Sequence, residues 1–76
     1  MQEFIAYLIK NLVDQPDAVE VQVIDGQQGM IVEVKVSLED IAKVVGKQGR
    51  TIKSLRTLVM IVGARFGRRV RLELVH

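Results

Sequence analysis

The first apolar positions, Ile5, Leu8, Ile9 and Leu12, fall at steps of three and four, the spacing of one face of a helix. The stretch Asp14-Gln15-Pro16-Asp17 ends that helix, because Pro16 has no amide hydrogen to donate and disfavours helical geometry in the residue before it. From Val19 the period changes. Val19, Val21 and Val23 alternate with Glu20 and Gln22, as in a strand with one buried face. Asp25-Gly26-Gln27-Gln28-Gly29 reads as a turn containing two residues free to take positive φ. Val32, Val34 and Val36 then alternate with Glu33 and Lys35 in a second strand, and the pair makes a β-hairpin.

Helical spacing returns after the hairpin. Ser37 stands three residues before Asp40, a variant of the capping box that opens helices. Leu38, Ile41, Ala42 and Val45 supply the apolar stripe of a short helix that stops at Gly46. After Gly46-Lys47-Gln48-Gly49 a longer helix runs from about Arg50 to Phe66, with Ile52, Leu55, Val59, Val62 and Phe66 as its core stripe and Gly67 as its stop. In the last strand Val70, Leu72 and Leu74 point inward while Arg69, Arg71 and Glu73 face out. The order is α-β-β-α-α-β. A hairpin followed by a two-helix crossover places the last strand parallel to the second. The expected fold is therefore α+β, a three-stranded mixed sheet covered on one face by three helices.

Size and composition narrow the function. The 76 residues are expected to form one domain, 1–76, with a small core, since a chain of this length buries only about 60% of its unfolded surface. Hydrophobic residues nevertheless make up 49% of the chain, so some apolar surface is spare and suits a partner. The absence of cysteine excludes a disulfide framework and a thiolate metal site, and fits a cytoplasmic location. The start Met-Gln-Glu does not read as a signal peptide, and no apolar run approaches the roughly 20 residues that span a bilayer.

Charge is divided unevenly along the chain. Residues 1–40 carry Lys10 and Lys35 against eight carboxylates, a balance of −6. Residues 41–76 carry nine Lys and Arg against Glu73 alone, a balance of +8. A basic half facing an acidic half is what an oriented polyanion site requires, although an ordinary solvated surface has the same composition.

The basic half contains the segment Val44-Val45-Gly46-Lys47-Gln48-Gly49-Arg50-Thr51-Ile52. Its two glycines let the backbone turn sharply and approach a ligand without a Cβ in the way. The loop also opens the long helix, whose first amides carry the positive end of the dipole and suit phosphate oxygens. Lys47 and Arg50 add charge beside them. A tight turn between helices would use the same glycines for geometry alone. A nucleotide P-loop is excluded, because position 41 is Ile, position 48 is Gln and the loop follows a helix rather than a strand. A dinucleotide fingerprint is excluded on the same topology.

Set between two helices of an α-β-β-α-α-β chain, VVGKQGRTI resembles the GxxG signature of type II KH domains. The resemblance covers essentially the whole chain and, in length, is to the small bacterial single-KH proteins of the KhpA family. It implies that about four nucleotides of single-stranded RNA lie between the GxxG loop, its flanking helices and the neighbouring sheet. By motif position Gly46, Lys47, Gln48 and Gly49 match the loop, Val45 the apolar residue before it, and Ile52 the residue anchoring the next helix. The resemblance further implies an RNA chaperone or regulator that pairs with itself and with a larger partner, KhpB, in RNA regulation and cell-wall and cell-shape control. No cofactor is expected.

The only aromatic residues are Phe4, Tyr7 and Phe66, none near the loop, so an aromatic stacking platform is not available. Base contacts are then expected from aliphatic walls such as Ile41, Val44 and Val45. That predicts shallow sequence preference and affinity on the order of 10⁻⁴–10⁻⁶ M at physiological salt, carried by phosphates. Lys43 and Lys53, close to the loop, and Arg56, one turn on, are candidates to track the backbone. Arg65, Arg68, Arg69 and Arg71 lie beyond the far end of the helix and take no direct role, beyond capping it or meeting a longer RNA. The run Leu58-Val59-Met60-Ile61-Val62 exceeds what one stripe can bury. Leu58 and Ile61 share a side and mark a self-association or partner surface, with Gly63 and Ala64 allowing close helix approach. Catalysis finds no nucleophile-base pair or metal-ligand spacing, and the only histidine, His76, reads as a chain end. The competing reading is a protein-interaction module that keeps the KH shape.

Overall fold

The computed structural model describes residues 2–75; Met1 and His76, and with them the expectation for His76, lie outside that range. Helix α1 (Gln2–Lys10) ends before the Asp14-Gln15-Pro16-Asp17 stretch is reached. Asn11 closes it: its backbone amide donates to the Tyr7 carbonyl at 3.2 Å and its side-chain Nδ2 to the same oxygen at 2.7 Å. Pro16, whose missing donor costs nothing at a helix start, instead opens a short 3-10 turn, Pro16–Ala18.

Strands β1 (Glu20–Gly26) and β2 (Gly29–Lys35) pair antiparallel, and β3 (Val70–Val75) lies parallel to β2 on its other side. Of the two turn glycines only Gly29 takes positive φ. The register stacks Val23, Val32 and Leu72 in one row across the sheet and Val21, Val34 and Leu74 in the next. With alternating side chains, these rows share one face. That face meets Ile5 and Ile9 of α1 and Ile52, Leu55 and Val59 of the long helix, all buried in one cluster. The architecture is thus the expected α-β-β-α-α-β arrangement, with a mixed sheet covered on one face.

The entry to α2 (Ile41–Val45) departs from the sequence reading. Ser37 makes no side-chain cap bond, so the capping box does not form. Asp40 is 1% exposed and turns to the α1–β1 connection, accepting hydrogen bonds from the amides of Asp14 and Gln15 at 3.1 and 3.0 Å. A carboxylate satisfying two backbone donors makes strong, directional bonds, so Asp40 pins that connection against α2. Because the 3-10 turn Leu38–Asp40 advances side chains by three residues per turn, it breaks the phase of the expected stripe. Leu38 is 77% exposed and Ala42 is exposed, while Val44 is fully buried and Ile41 and Val45 are half-buried.

Helix α3 (Arg50–Arg65) buries Ile52, Leu55, Val59 and Gly63. A Cβ at Gly63 would stand 2.4 Å from Val70 Cγ2, so this glycine is spent on seating α3 against β3 rather than on approach by another helix. Val62 is half-buried. Phe66, expected in the core, is 75% exposed, because the helix ends one residue earlier. Gly67, at φ +68°, closes a Schellman turn in which its amide donates to Ala64 O at 3.0 Å and that of Arg68 to Gly63 O at 2.9 Å.

Candidate nucleic-acid interface

The Gly46-Lys47-Gln48-Gly49 turn joins α2 to α3 and depends on both glycines for different reasons. Gly46 has φ 79° and ψ 175°, a region that only glycine occupies readily. A Cβ there would also fall 2.2 Å from Thr51 Oγ1 and 2.6 Å from Thr51 Cβ, so the close approach of the first turn of α3 demands a hydrogen. Gly49 is left-handed, at φ 74° and ψ 15°, but a Cβ would meet only Ile52 Cγ2 at 4.0 Å. Gln48 also adopts the left-handed conformation, at φ 58° and ψ 25°, a cost the loop bears in return for its shape.

This backbone path decides what the loop offers a ligand. The Gly46 amide donates to Ala42 O at 2.8 Å and that of Gly49 to Gly46 O at 3.1 Å. The backbone of Lys47 and Gln48 lies between these two bonds, in the 3-10 turn Lys47–Gly49. Both residues are exposed and stand at the positive end of a 16-residue helix. Lys47, Arg50 and Lys53 are exposed, and among the described residues none has a carboxylate within ion-pair distance.

The other expected contacts divide. Lys43 is tied to Asp14 by an ion pair and lies 3.8 Å from Asp40, so its charge is largely balanced. Its pKa is raised, chiefly by the hydrogen bond to Asp14, which desolvation opposes and the charges of Asp14, Asp40 and Glu39 reinforce; it stays charged throughout the neutral range. Val44 cannot line a binding wall, because it is a core residue with no exposed surface. Ile41 and Val45 are half-buried and keep part of their apolar surface beside the loop. Arg56 crosses from α3 to β3, where its Nε donates to the Leu72 carbonyl at 3.3 Å. The sequence holds no hint of that bond. Leu58 is half-buried and Ile61 is 53% exposed; together with Lys53, Ser54 and Thr57 they line a shallow cleft of about 360 Å³ on α3.

No helix among the described residues is long and apolar enough to cross a membrane, and no group of three or more His, Cys, Asp or Glu side chains stands close enough to hold a metal ion. Comparison with known families gives a match to the KhpA/KhpB KH domain over residues 2–74. The chain belongs to the KhpA/KhpB KH-domain family. This is a family of KH domains and not of enzymes. Relatives support the assignment over the full length. The RNA-binding protein KhpA of Chlamydia pneumoniae is 48% identical over 76 residues, which is 100% of this chain and 97% of that protein. That of Caldanaerobacter subterraneus is 47% identical over 75 residues, covering 99% of this chain and 100% of the relative. The Borreliella burgdorferi protein of the same name is 40% identical over 73 residues, or 96% of this chain and 89% of that one.

Proposed function

We propose that this KH domain binds single-stranded RNA, with the phosphate backbone passing over Gly46-Lys47-Gln48-Gly49. The observation that carries the reading is the exposed Lys47-Gln48 turn between Gly46 and Gly49 at the positive end of α3, where Lys47, Arg50 and Lys53 have no carboxylate within ion-pair distance among the described residues. Phosphate oxygens are the natural acceptors for such a cradle. The half-buried Ile41 and Val45 supply apolar contacts for bases, and the relatives' name, RNA-binding protein, supports the same ligand class. Lys43, balanced by Asp14 and Asp40, contributes less than Lys47. Titration of labelled RNA at several salt concentrations tests the proposal. Single-stranded RNA should bind with a log–log salt slope of about −2, three cations each contributing roughly −0.7, and a duplex of the same sequence should bind more weakly. A duplex binding as tightly, with no salt dependence, would sink it.

A second surface supports a finer reading, in which the domain pairs with a copy of itself or with a larger KhpB-like protein and acts as an RNA chaperone or regulator in the cytoplasm, linked to cell-wall and cell-shape control. Met60 and Ile61 are 57% and 53% exposed on α3, and Leu58 and Ile61 line the shallow cleft there. One domain that clamps about four nucleotides is a weak binder, and pairing raises the effective concentration of the second site. Substitution Ile61→Asp places a charge in that surface and is expected to reduce the sedimenting mass to that of a folded monomer, its circular dichroism unchanged. A mass unchanged by the substitution would remove α3 from the interface.

A further inference from the structure

The end of the domain opposite the GxxG loop carries a cleft of about 550 Å³ that the loop reading does not use. Its floor is the register pair Gly26 and Gly29, and its walls are Gln27, Gln28, Arg69 and Arg71, with Ile31 behind them. The recess follows from the sheet. Ile24, Ile31 and Arg71 form one row on the face that the helices leave uncovered, and in the next row the two glycines supply no side chain. Gly29 cannot be anything else: at φ +139° a Cβ would lie 2.4 Å from Arg69 O. That same carbonyl accepts the Met30 amide at 2.8 Å, which stitches the α3–β3 turn to the hairpin and fixes the shape of the cleft.

Charge and exposure at this end favour one kind of ligand. Of the four arginines around the turn, Arg68 pairs with Asp25 and Arg71 with Glu73. Among the described residues Arg65 and Arg69 have no carboxylate within ion-pair distance. The cluster therefore keeps a net positive charge. Phe66 stands 75% exposed in the same turn, between Arg65 and Arg68. Guanidinium forks match phosphate oxygens, carboxamides both donate to and accept from base edges, and the exposed Phe66 ring in the adjoining turn offers a face for stacking. A free inorganic anion would use only the first of these. A strand of nucleotides uses all three.

We propose that this cleft is a second contact for single-stranded RNA, engaged by strands that continue past the nucleotides clamped at the GxxG loop. The inference rests on the RNA reading above. Sixteen residues of α3, at about 1.5 Å each, put roughly 24 Å between the two sites, so a tetranucleotide held at the loop does not reach the arginines. A longer strand does.

The test compares oligonucleotides of about 4 and about 16 nucleotides. Wild type should bind the longer one more tightly. The double substitution Arg69→Gln, Arg71→Gln removes two side-chain charges while the Arg69 carbonyl keeps its bond to Met30. It is expected to weaken the long strand about 10-fold and to reduce the magnitude of its salt slope by about 1.4, with tetranucleotide binding unchanged. A second variant, Gln27→Glu with Gln28→Glu, acts on exposed turn residues outside the core and should give the same selective loss. Long-strand affinity equal to wild type in both variants, equal loss for both lengths, or a wild type indifferent to length would each overturn the second site. Failure of the loop reading is a separate result: wild type would then not bind the tetranucleotide at all, whatever the arginine variants do.

Discussion

Substitution of Lys47 and Gln48 together by aspartate is expected to weaken single-stranded RNA binding about 100-fold, or about 2.8 kcal/mol at ~1.4 kcal/mol per factor of ten, with no loss of fold. The change removes one cation and sets two carboxylates beside the amides that a phosphate would occupy. Charges about 4 Å apart near a protein surface interact by about 4 kcal/mol before salt screening, so an effect of this size needs only part of that repulsion. Stability should hold because both side chains are exposed and take part in no hydrogen bond or ion pair with another described residue. Aspartate also tolerates the left-handed backbone that Gln48 adopts at φ 58°. Fluorescence anisotropy and a thermal melt on the same sample check both halves. Undiminished RNA affinity would place the binding elsewhere on the domain.

The second large effect concerns stability. Gly46→Ala is expected to destabilise the domain by about 3 kcal/mol, combining the ~1–3 kcal/mol of a glycine-only backbone conformation with the ~1–3 kcal/mol of overpacking. For a domain of this size that lowers the melting temperature by roughly 12–24 °C. The overpacking is specific, since the new methyl would sit 2.2 Å from Thr51 Oγ1, and Thr51 belongs to the first turn of α3. Gly49→Ala meets no atom nearer than 4.0 Å and carries only backbone strain, about 1–2 kcal/mol. Melts of the two variants side by side are the check. Equal losses would mean that steric contact at Thr51 does not set the requirement for glycine at position 46.

The element order was readable because the valine alternation in the strands and the three-four spacing in α1 and α3 are different periods, and each is sustained over several residues. The ends were less legible. Pro16 signals a helix end in the sequence, but the side chain of Asn11 closes α1 first, through a bond that periodicity does not encode. Phe66 continued an apolar stripe in the sequence, yet the Schellman turn at Gly67 turns it to solvent, and Gly63 takes the buried place because β3 lies so close. The spacing of Leu38, Ile41, Ala42 and Val45 leaves Val44 off the buried stripe, but the 3-10 turn at Leu38–Asp40 shifts the helical phase and Val44 is buried. Asp40 read as part of a local cap, whereas its partners, Asp14 and Gln15, are 26 and 25 residues away in the chain. Contacts at that separation depend on the tertiary fold. The GxxG loop was the most legible part of the candidate site, because its geometry is dictated locally by two glycines.

The most direct measurement follows backbone amide resonances of the ¹⁵N-labelled domain during titration with a single-stranded tetranucleotide. The Lys47 and Gln48 amides should move most, and saturate together with those of Gly49 and Arg50, as phosphate oxygens settle on the loop. Saturating shifts confined to other residues, with Lys47 and Gln48 still, would contradict the phosphate cradle.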